Sequence, residues 1–438
     1  MSMLDSAEGG TPHAVLTSKE ERTPRTVVMK FGGTSVGDLD RIRVVARKVK
    51  AEQAKGRRVA VVVSAMSGVT NQMVKYCYDL NPEADSCEYD AVVASGEQVT
   101  SGLLAIALGA IGVKARSFQG WQIPLFTDES HGCAAIDRVE GAALLESLNH
   151  GVVPVIAGFQ GVDSHGRIAT LGRGGSDTSA VALAAAIRAD QCDIYTDVDG
   201  IYTTDPRIVK RAKRLERITY EEMLELASVG AKVLQTRSVG LAMREKVNVR
   251  VLSSFEETDD TSGTVVVDED DGMEKELVAG IAYSQDDAKI SIRNLPDEPG
   301  IAAKIFAPLS AAGINVDMIV QSIGVDRSTN MTFTVSKGHE QKACALLEEM
   351  RSEIRFGELT TSHDVVKISV VGVGMRSNAG VAATMFRTLA ERGINIQVIS
   401  TSEIKISVLI DAEYTELAMR ALHTAYGLDG KKEETTHE

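Results

Sequence analysis

Lys30-Phe31-Gly32-Gly33-Thr34-Ser35-Val36 follows an apolar run that begins at Thr26 and precedes a helical pattern that begins near Asp38. Two adjacent glycines leave the backbone bare, so its amide N–H groups can approach phosphate oxygens, and the following helix adds the positive end of its dipole. Lys30, at the end of the strand, supplies the compact cation that a transferring phosphoryl group requires. The stretch therefore predicts a phosphate-binding turn between a strand and a helix, although an ordinary strand-to-helix turn also contains such glycines.

The pattern around this stretch predicts the fold of the first domain. Short Val- and Ile-rich runs alternate with amphipathic stretches from residue 26 to about residue 255, which is typical of parallel strands joined by crossover helices. We expect a three-layer α/β sandwich over this range. The clearest predicted strands are Thr26–Phe31, Arg58–Val63, Val152–Phe159 and Asp193–Thr196.

Composition excludes several classes of protein. The chain has 438 residues, 44% of them apolar, and a formal net charge of −14, so nucleic acid is not expected as a partner. Its uninterrupted apolar runs are shorter than the ~20 residues of a membrane span, and its N-terminus lacks the pattern of a signal peptide. We expect no membrane partner and a cytoplasmic location. Five cysteines without a CxxC pair and eight histidines without ligand spacing predict no metal site, and the histidines are expected at the surface.

A second glycine-rich turn, Leu171-Gly-Arg-Gly-Gly-Ser-Asp177, precedes a strong helical run over Ser179–Ala189. Arg173 suits bidentate capture of a carboxylate. Asp177 is an acceptor that could orient Lys30 or a metal-bound water. The alternative is that Asp177 only caps its helix and that Arg173 is solvated.

Weaker signals come from three other polar segments. The stretch from Ser64 to Asn71 could present hydroxyl groups to a substrate, and Glu97, at the start of a helix, could bind an ammonium group or only complement the dipole. The loop that begins with Asp197-Val-Asp-Gly lacks the further ligands of a calcium loop. No GxxxxGK[ST] motif occurs, which excludes a P-loop NTPase, and no GxGxxG follows a strand, which removes the best evidence for a dinucleotide fold.

The C-terminal part of the chain repeats itself. Lys289-Ile-Ser-Ile292 is echoed by Lys367-Ile-Ser-Val370, and ten residues between Gly300 and Ser322 are identical to those found 80 positions later. Each copy has the pattern of a small ferredoxin-like βαββαβ unit. Pro308 lies inside the first predicted helix and predicts a kink or an early helix end there.

These patterns divide the chain into segments. The linker is acidic and poor in large apolar residues, as surface connections usually are. The expected divisions are a flexible N-terminal tail (1–25), the α/β domain (26–255), the acidic linker (256–279), the first repeat (280–355), the second repeat (365–428) and a polar C-terminal tail (429–438).

Taken together and in this order, the motifs resemble those of the aspartate kinases (aspartokinases) of the amino-acid kinase family. The resemblance runs from about Thr26 to Gly427 and includes Thr196-Asp-Val-Asp-Gly-Ile-Tyr-Thr-Thr-Asp-Pro-Arg207. It implies that ATP phosphorylates the β-carboxylate of L-aspartate to give 4-phospho-L-aspartate, the first step of lysine, threonine and methionine biosynthesis. The repeats are similar to paired ACT domains, which in this family bind lysine or threonine as feedback effectors.

The resemblance also implies roles for individual residues. Lys30 would stabilise the transferred phosphoryl group, with Asp177 organising it. The nucleotide would be bound by Lys30, Gly32, Gly33, Thr196, Asp197, Tyr202, Arg207, Lys232 and Val233, and the aspartate by Ser64, Thr70, Glu97, Arg173 and Ser176. The effector positions would be Asp297, Gly300, Ile301, Ala302, Asn315, Val316, Asp317 and Gln321 in the first repeat and Ala382, Ala383, Ile396, Glu403 and Ile404 in the second. Mg²⁺ would be held mainly by the phosphates of ATP.

Several alternatives stay open at this stage. The chain could be another amino-acid kinase, acting on glutamate or a nucleotide monophosphate, or a non-catalytic amino-acid sensor with the same fold. The ACT-like modules are expected to bind effectors and to form a homodimer or larger assembly, but they could serve dimerisation alone. Met273 lies just before the repeats, so a shorter regulatory subunit begun there is a further hypothesis.

Overall fold

The computed structural model describes residues 26–230, 233–256, 262–269, 277–324, 328–378 and 380–429. The strands of the first domain are β1 (Thr26–Phe31), β2 (Arg58–Val63), β3 (Ala115–Phe118), β4 (Leu125–Thr127), β5 (Ile136–Val139), β6 (Val153–Ala157), β7 (Gln160–Val162), β8 (Ile168–Thr170), β9 (Gln191–Thr196), β10 (Arg217–Thr219), β11 (Val249–Ser253) and β12 (Thr264–Val267). Its helices are α1 (Leu39–Ala54), α2 (Val69–Leu80), α3 (Ser86–Val93), α4 (Ser95–Ala110), α5 (Ala142–Asn149), α6 (Gly175–Ala186), α7 (Tyr220–Ser228) and α8 (Thr236–Glu245).

An eight-stranded sheet forms the middle layer of this domain. Its strand order is β10-β12-β11-β9-β1-β2-β6-β3, and every pairing except that of β11 with β12 is parallel. Side chains alternate across a strand. Accordingly Val27 and Met29 pack in the core with α1 and α4, while Val28 packs in the core with α5, α6 and α8. The predicted three-layer α/β sandwich is confirmed.

A smaller four-stranded sheet, in the order β5-β4-β7-β8, carries the loops next to the main sheet. Helix α3 packs against β8, and α4 packs against β3, β6 and α1. The two helices together form an apolar helical stretch, Ser86–Ala110, that is long and apolar enough to cross a bilayer, although polar residues interrupt it. Core helices pass the same test, and this stretch contains the buried carboxyl groups of Asp90 and Glu97 as well as Leu104 in the core. We therefore interpret it as a core element of the domain.

Two ferredoxin-like modules follow. Their strands are β13 (Gly280–Ser284), β14 (Asp287–Pro296), β15 (Val316–Ile323), β16 (Ser328–Ser336), β17 (Glu358–Ser362), β18 (Val365–Val371), β19 (Val398–Thr401) and β20 (Lys405–Asp411). Their helices are α9 (Ile301–Ala311), α10 (Glu340–Glu349), α11 (Arg351–Ile354), α12 (Gly380–Glu391) and α13 (Thr415–Ala425). Each module buries one face of its sheet under two main helices, α9 with α10 and α12 with α13.

The fourth strand of each sheet comes from a different place in the chain. The first sheet has the order β15-β16-β14-β17, and the second has the order β19-β20-β18-β13. Strand β13 therefore takes the position in the second module that β17 takes in the first. The predicted boundary at residue 280 is wrong for this reason, since Gly280–Ser284 pairs with β18, in the second module. Among the described residues no strand follows α13. The edge of β18 that faces away from β20 is instead paired with β13.

Helix α9 continues for three residues past Pro308, so the predicted early helix end is wrong. Proline cannot donate a hydrogen bond to the carbonyl of Lys304, which lies one turn earlier and is only partly buried. Ile305 and Leu309 are buried in the core of the first module and hold the helix in place.

The second module packs directly on the α/β domain. The backbone N–H of Ile281 donates to the carbonyl of Thr203 over 2.8 Å. The backbone N–H of Val373 donates to the carboxylate of Glu222 on α7 over 2.9 Å. The ammonium group of Lys405 lies 2.7 Å from the carboxylate of Glu225 on the same helix. Contacts of this second module thus extend to α7 and to the loop that follows β9.

The placement of β13 makes a prediction about stability. Ile281 is 1% exposed and lies in the core of the second module. Ile281→Ala should lower the free energy of unfolding of that module by about 2 to 5 kcal/mol, because it leaves a cavity. Hydrogen exchange should then speed up at β18 and β20 but not at β14 and β16. Leu277→Ala, at a residue that is 44% exposed, is the matched control. Equal loss of protection in both sheets would contradict the strand assignment.

Candidate functional site

The carboxyl ends of five strands meet at one edge of the main sheet. Phe31 pairs with Val63 of β2 and with Tyr195 of β9, Val63 pairs with Ala157 of β6, and Ser253 of β11 pairs with Thr196. The loops that leave these strands therefore begin side by side. Every polar segment singled out in the α/β domain either leaves this edge or packs against a loop that does.

Lys30 lies on the α6 side of the sheet. Its position in β1 alternates with that of Phe31, so its side chain shares a face with Val28. Its Nζ lies 2.5 Å from Oδ1 of Asp177 in the first turn of α6, and the side chains of both residues are 10% exposed. The contact is an ion pair, but its angles are not those of a hydrogen bond. Oδ1 of Asp177 therefore has no hydrogen-bond donor among the described residues. The two glycine-rich turns are thus joined through a buried pair of opposite charges.

The turn after β1 is packed against the turn after β2. Gly32 donates its N–H to the carbonyl of Tyr195 over 3.2 Å, and a 3-10 turn follows over Gly33–Val36. A Cβ atom at Gly33 would lie only 3.0 Å from the carbonyl oxygen of Ala65. Gly33 is therefore required for close contact between the two loops as well as for a bare backbone at the sheet edge.

Glu97 is 3% exposed and lies beneath this contact. Its Oε1 accepts a hydrogen bond from the backbone N–H of Ala65 over 3.0 Å, whereas its Oε2 is buried without a partner in the described part of the chain. Burial raises the pKa of Glu97 to about 7, and the N–H of Ala65 opposes this rise only in part. Ser64 and Thr70, on the same loop and at the start of α2, are half-buried. A buried carboxylate oxygen with a free lone pair suits a ligand that donates hydrogen bonds.

The turn before α6 presents Arg173. Gly172 and Gly174 flank it with φ angles of +73° and +69°, a region that favours glycine. Arg173 is exposed, and within the described residues it forms neither a hydrogen bond nor an ion pair. Ser176 is 8% exposed and lies against Gly158, at the end of β6. The guanidinium group is available to an anion at the same edge where Lys30 meets Asp177.

The residues expected to bind a nucleotide are only partly brought together. Thr196 ends β9, and its hydroxyl lies 3.1 Å from the carboxylate of the exposed Asp197. Further along this loop, the hydroxyl of Tyr202 donates to Asp199 over 3.0 Å, and the guanidinium of Arg207 lies 2.7 Å from Asp205. These two side chains are thus bound within their own loop. Val233 is half-buried, and Lys232 lies outside the described residues.

The predicted effector positions divide into three groups. Ile301 and Ile404 are buried, at 4% and 8% exposure, so their side chains serve packing. Gly300 has a φ of +93° and caps α9. The remaining positions are exposed or partly buried around the two helix starts and the strands that follow: Asp297, Ala302, Asn315, Val316, Asp317, Gln321, Ala382, Ala383, Ile396 and Glu403.

Asp317 makes a contact that the repeat did not predict. Its carboxylate lies 2.8 Å from the ammonium of Lys367 in the other module, and Lys367 also lies 3.2 Å from Asp287. Lys289, the counterpart of Lys367 in the repeat, donates to Gln397, the counterpart of Asp317. The two modules therefore contact each other through symmetry-related pairs of residues.

Three polar residues next to the site were not identified from the sequence. Arg237 of α8 donates to the carbonyls of Leu171 and Ala134, and the carboxylate of Asp90 binds Thr170. The ring of His131 is 5% exposed, contrary to the predicted surface position. A single polar residue in an amphipathic helix or a loop belongs to no recognisable motif, so the sequence does not distinguish it from a polar residue exposed to solvent. Among the described residues, no group of three or more His, Cys, Asp or Glu side chains is arranged to hold a metal ion.

The raised pKa of Glu97 predicts a pH dependence of stability. A carboxyl group whose pKa rises from 4.5 to about 7 on folding contributes stability that is complete below pH 4.5 and is lost as the pH rises through 7. The free energy of unfolding of the unmodified protein, relative to Glu97→Gln, should fall by up to about 3 kcal/mol over this range. Urea unfolding curves at several pH values measure the difference. Glu140→Gln, at a side chain that is 57% exposed, is the control. If the stability of Glu97→Gln changed with pH in the same way as that of the unmodified protein, the prediction would be contradicted.

The chain is similar to known proteins over most of its length. Residues 25–253 match the amino acid kinase family, and residues 290–350 and 368–426 match the ACT domain. An aspartate kinase of Pseudomonas putida is 52% identical over 403 residues, covering 92% of this chain and 98% of the relative. An aspartokinase of Thermus thermophilus is 47% identical over 405 residues, covering 92% of this chain and 99% of the relative.

Solved structures show the same likeness. The crystal structure of E. coli aspartokinase III in complex with aspartate and ADP, in the R-state, matches with a TM-score of 0.74 at 28% identity and covers 91% of this chain and 99% of that one. The structure of the same enzyme in complex with lysine and aspartate, in the T-state, matches with a TM-score of 0.73 at 27% identity, with the same coverage.

Proposed function

The chain belongs to the aspartokinases of the amino acid kinase family, and from this we propose that it transfers the γ-phosphoryl group of ATP to the β-carboxylate of L-aspartate. The products are ADP and 4-phospho-L-aspartate. The observation that carries the proposal is the buried pair of Lys30 and Asp177, 2.5 Å apart. The same sheet edge holds Glu97, whose Oε2 has no partner among the described residues, and Arg173, which those residues also leave unpaired. A cation for the phosphoryl group thus shares one sheet edge with an anion and a cation suited to an amino acid.

Glu97 and Arg173 have the charges that free aspartate requires. The buried Oε2 of Glu97 would accept a hydrogen bond from the substrate ammonium, which would also offset the cost of ionising this carboxyl group at neutral pH. Arg173 would bind a carboxylate through two parallel N–H donors. Ser64, Thr70 and Ser176, which are half-buried or buried near these two groups, would supply hydroxyl donors.

The reaction needs no general base. The β-carboxylate of aspartate has an ordinary pKa of about 3.9, so it is already an anionic nucleophile at pH 7. The protein must hold this oxygen in line with the γ-phosphorus and neutralise charge on the transferred group. Lys30, kept in place by Asp177, would donate to the phosphoryl oxygens and thereby stabilise the charge that they carry in the transition state.

We assign the nucleotide to the turns next to Lys30. The backbone of Gly32 and Gly33, bare of side chains, would lie against the phosphates, with the N–H of Gly33 as a donor, since the N–H of Gly32 is bonded to Tyr195. Thr196 and Asp197 begin the loop that would contact the rest of the nucleotide. The roles of Tyr202, Arg207, Lys232 and Val233 remain predictions. Mg²⁺ would arrive bound to the phosphates of ATP and neutralise part of their charge. A cytoplasmic location, where ATP and free aspartate are available, agrees with this reaction.

The test is an assay of ATP-dependent acyl phosphate formation, trapped with hydroxylamine, with aspartate, glutamate and nucleotide monophosphates as acceptors. Aspartate should be the preferred acceptor. Lys30→Ala should lower kcat by at least about a thousandfold, or about 4 kcal/mol of transition-state stabilisation, because no other described cation replaces Lys30 beside Asp177. Lys114→Ala, at an exposed lysine near the opposite edge of the sheet, should leave kcat unchanged.

Two outcomes would decide against the proposal. Preference for glutamate or a nucleotide monophosphate would indicate another amino-acid kinase. Amino-acid binding without any turnover, unchanged by Lys30→Ala, would indicate a sensor.

We also propose that the ACT modules bind lysine, threonine or both, and that effector binding reaches the catalytic domain through the second module. That module contacts Thr203 in the loop after β9 and Glu222 on α7, so a change in its position would displace the loop assigned to the nucleotide. An effector can inhibit only if it binds the active and inactive arrangements with different affinities. A homodimer or larger assembly through these modules and a shorter subunit begun at Met273, which lies outside the described residues, stay predictions.

Inhibition assays with lysine and threonine, singly and together, test the regulatory proposal. At least one of them should lower the rate of aspartate phosphorylation. Asp317→Asn should raise the concentration that gives half inhibition by about tenfold, equivalent to about 1.4 kcal/mol, since it weakens the link between the two modules at Lys367. Asp364→Asn, at a side chain that is 92% exposed, should not change it. Full activity at saturating concentrations of both amino acids would refute the effector assignment.

A further inference from the structure

Asp90 is a fully buried carboxylate on α3 that has no role in the site described above. Its Oδ2 accepts hydrogen bonds from the backbone N–H of Thr170 (2.8 Å), the backbone N–H of Gly132 (3.0 Å) and Nδ1 of His131 (3.0 Å). Its Oδ1 accepts a hydrogen bond from the hydroxyl of Thr170 (2.6 Å). A buried carboxylate is costly unless donors satisfy it, and here four donors come from two separate segments of the chain. Asp90 thus ties α3 to the end of β8 and to the loop after β4.

The end of β8 and the loop after β4 together support the turn that carries Arg173. Thr170 is the last residue of β8, three positions before Arg173, and its carbonyl accepts a hydrogen bond from Ala134 over 2.9 Å. A Cβ atom at Gly172 would lie 3.1 Å from the carbonyl oxygen of Gly132. The turn is therefore in direct contact with the loop that Asp90 binds, and it continues from the strand that Asp90 binds.

The same helix leads directly to Glu97. Helix α3 ends at Val93 and α4 begins at Ser95, with Glu97 in its first turn. The carbonyl of Ala94 between them accepts a hydrogen bond from the side chain of Gln160 over 3.0 Å, which fixes this junction to β7. Asp90 therefore connects the element that carries Glu97 with the turn that carries Arg173.

We propose that Asp90 is a positioning residue for the acceptor amino acid: it sets the distance between Arg173 and Glu97. The inference rests on the proposed function, which assigns those two groups to the two charged ends of aspartate. Arg173 has no side-chain partner among the described residues, so its placement depends on its backbone turn alone. Precise placement matters because a shift of about 1 Å in a binding group can cost about a hundredfold in rate.

His131 extends this support. Its Nε2 lies 3.4 Å from the carboxylate of Asp163 and 3.2 Å from Sγ of Cys87, while its Nδ1 donates to Asp90. Asp163 in turn accepts hydrogen bonds from the backbone of His165 and Arg167, in the turn between β7 and β8. The imidazole therefore links Asp90 to the far end of the hairpin whose other end leads into the Arg173 turn.

Asp90→Asn in the full chain is the central test. Asparagine has nearly the same size, but one of its two terminal groups donates, so it cannot accept from both sides as the carboxylate does. The KM for aspartate should rise about tenfold or more, while the KM for ATP stays within twofold and kcat falls less than the KM for aspartate rises. Asp128→Asn is the matched control, because this exposed carboxylate accepts from Ser130 and Ala135 in the same loop without contacting β8. It should leave both KM values unchanged.

A pair of variants at Thr170 keeps the test decisive if Asp90→Asn does not fold. Thr170→Val removes the hydroxyl that donates to Asp90 and should raise the KM for aspartate but not that for ATP. Thr170→Ser keeps this hydroxyl and should have the KM for aspartate of the unmodified protein. Equal rises in the KM values for aspartate and ATP, or folded variants with an unchanged KM for aspartate, would overturn the inference. Failure of the unmodified protein to phosphorylate aspartate would instead overturn the proposed function, so the two failures are distinguishable.

Discussion

The ion pair between Lys30 and Asp177 is the interaction on which the site depends. A lysine that is 8% exposed requires a partner charge, since an unpaired buried ammonium is strongly destabilising. Asp177 provides that charge from the first turn of α6, and it thereby fixes the cation where β1 ends. The ammonium has three donors, so it can keep Asp177 and still donate to a phosphate. The two glycine-rich turns are held together in the same way, because one follows Lys30 and the other precedes Asp177.

Local sequence was sufficient to predict β1 and its turn, and parallel topology then explains why Gly32, Ser64 and Thr196 share one sheet edge. The bounds of β1 agree with the prediction because its buried apolar run ends abruptly at two glycines. The role of Asp90 could not be predicted from local sequence. This residue lies in an ordinary helical pattern, and what buries it is Thr170, 80 positions away in the chain. His131 and His423 were predicted at the surface because their local sequence gives no sign of burial, yet tertiary contacts enclose both rings.

In the regulatory half, the repeat predicted two similar units but not how they share strands or contact each other. Identity between copies identifies the residues that both units need for folding, such as the glycines and the apolar helix faces. It does not show which sheet β13 joins: β13 precedes β14 in the chain as β17 precedes β18, 78 positions later, yet each of these two strands pairs in the other module. The pairing of Asp317 with Lys367 was missed because it crosses from one copy to the other. A chain begun at Met273 would contain β13 and hence every strand of both modules.

The exchange of strands has a consequence for how the regulatory half is built. Strands β13 and β18 are antiparallel neighbours, with Ser284 opposite Lys367, and the whole first module lies between them in the chain. The first module is therefore an insertion into a hairpin of the second, and its two ends leave from adjacent positions. Such an insertion can be lost, exchanged or lengthened during evolution without breaking the sheet that rests on the α/β domain. The host module and its contacts with that domain would persist while the inserted unit diverged in the signals to which it responds.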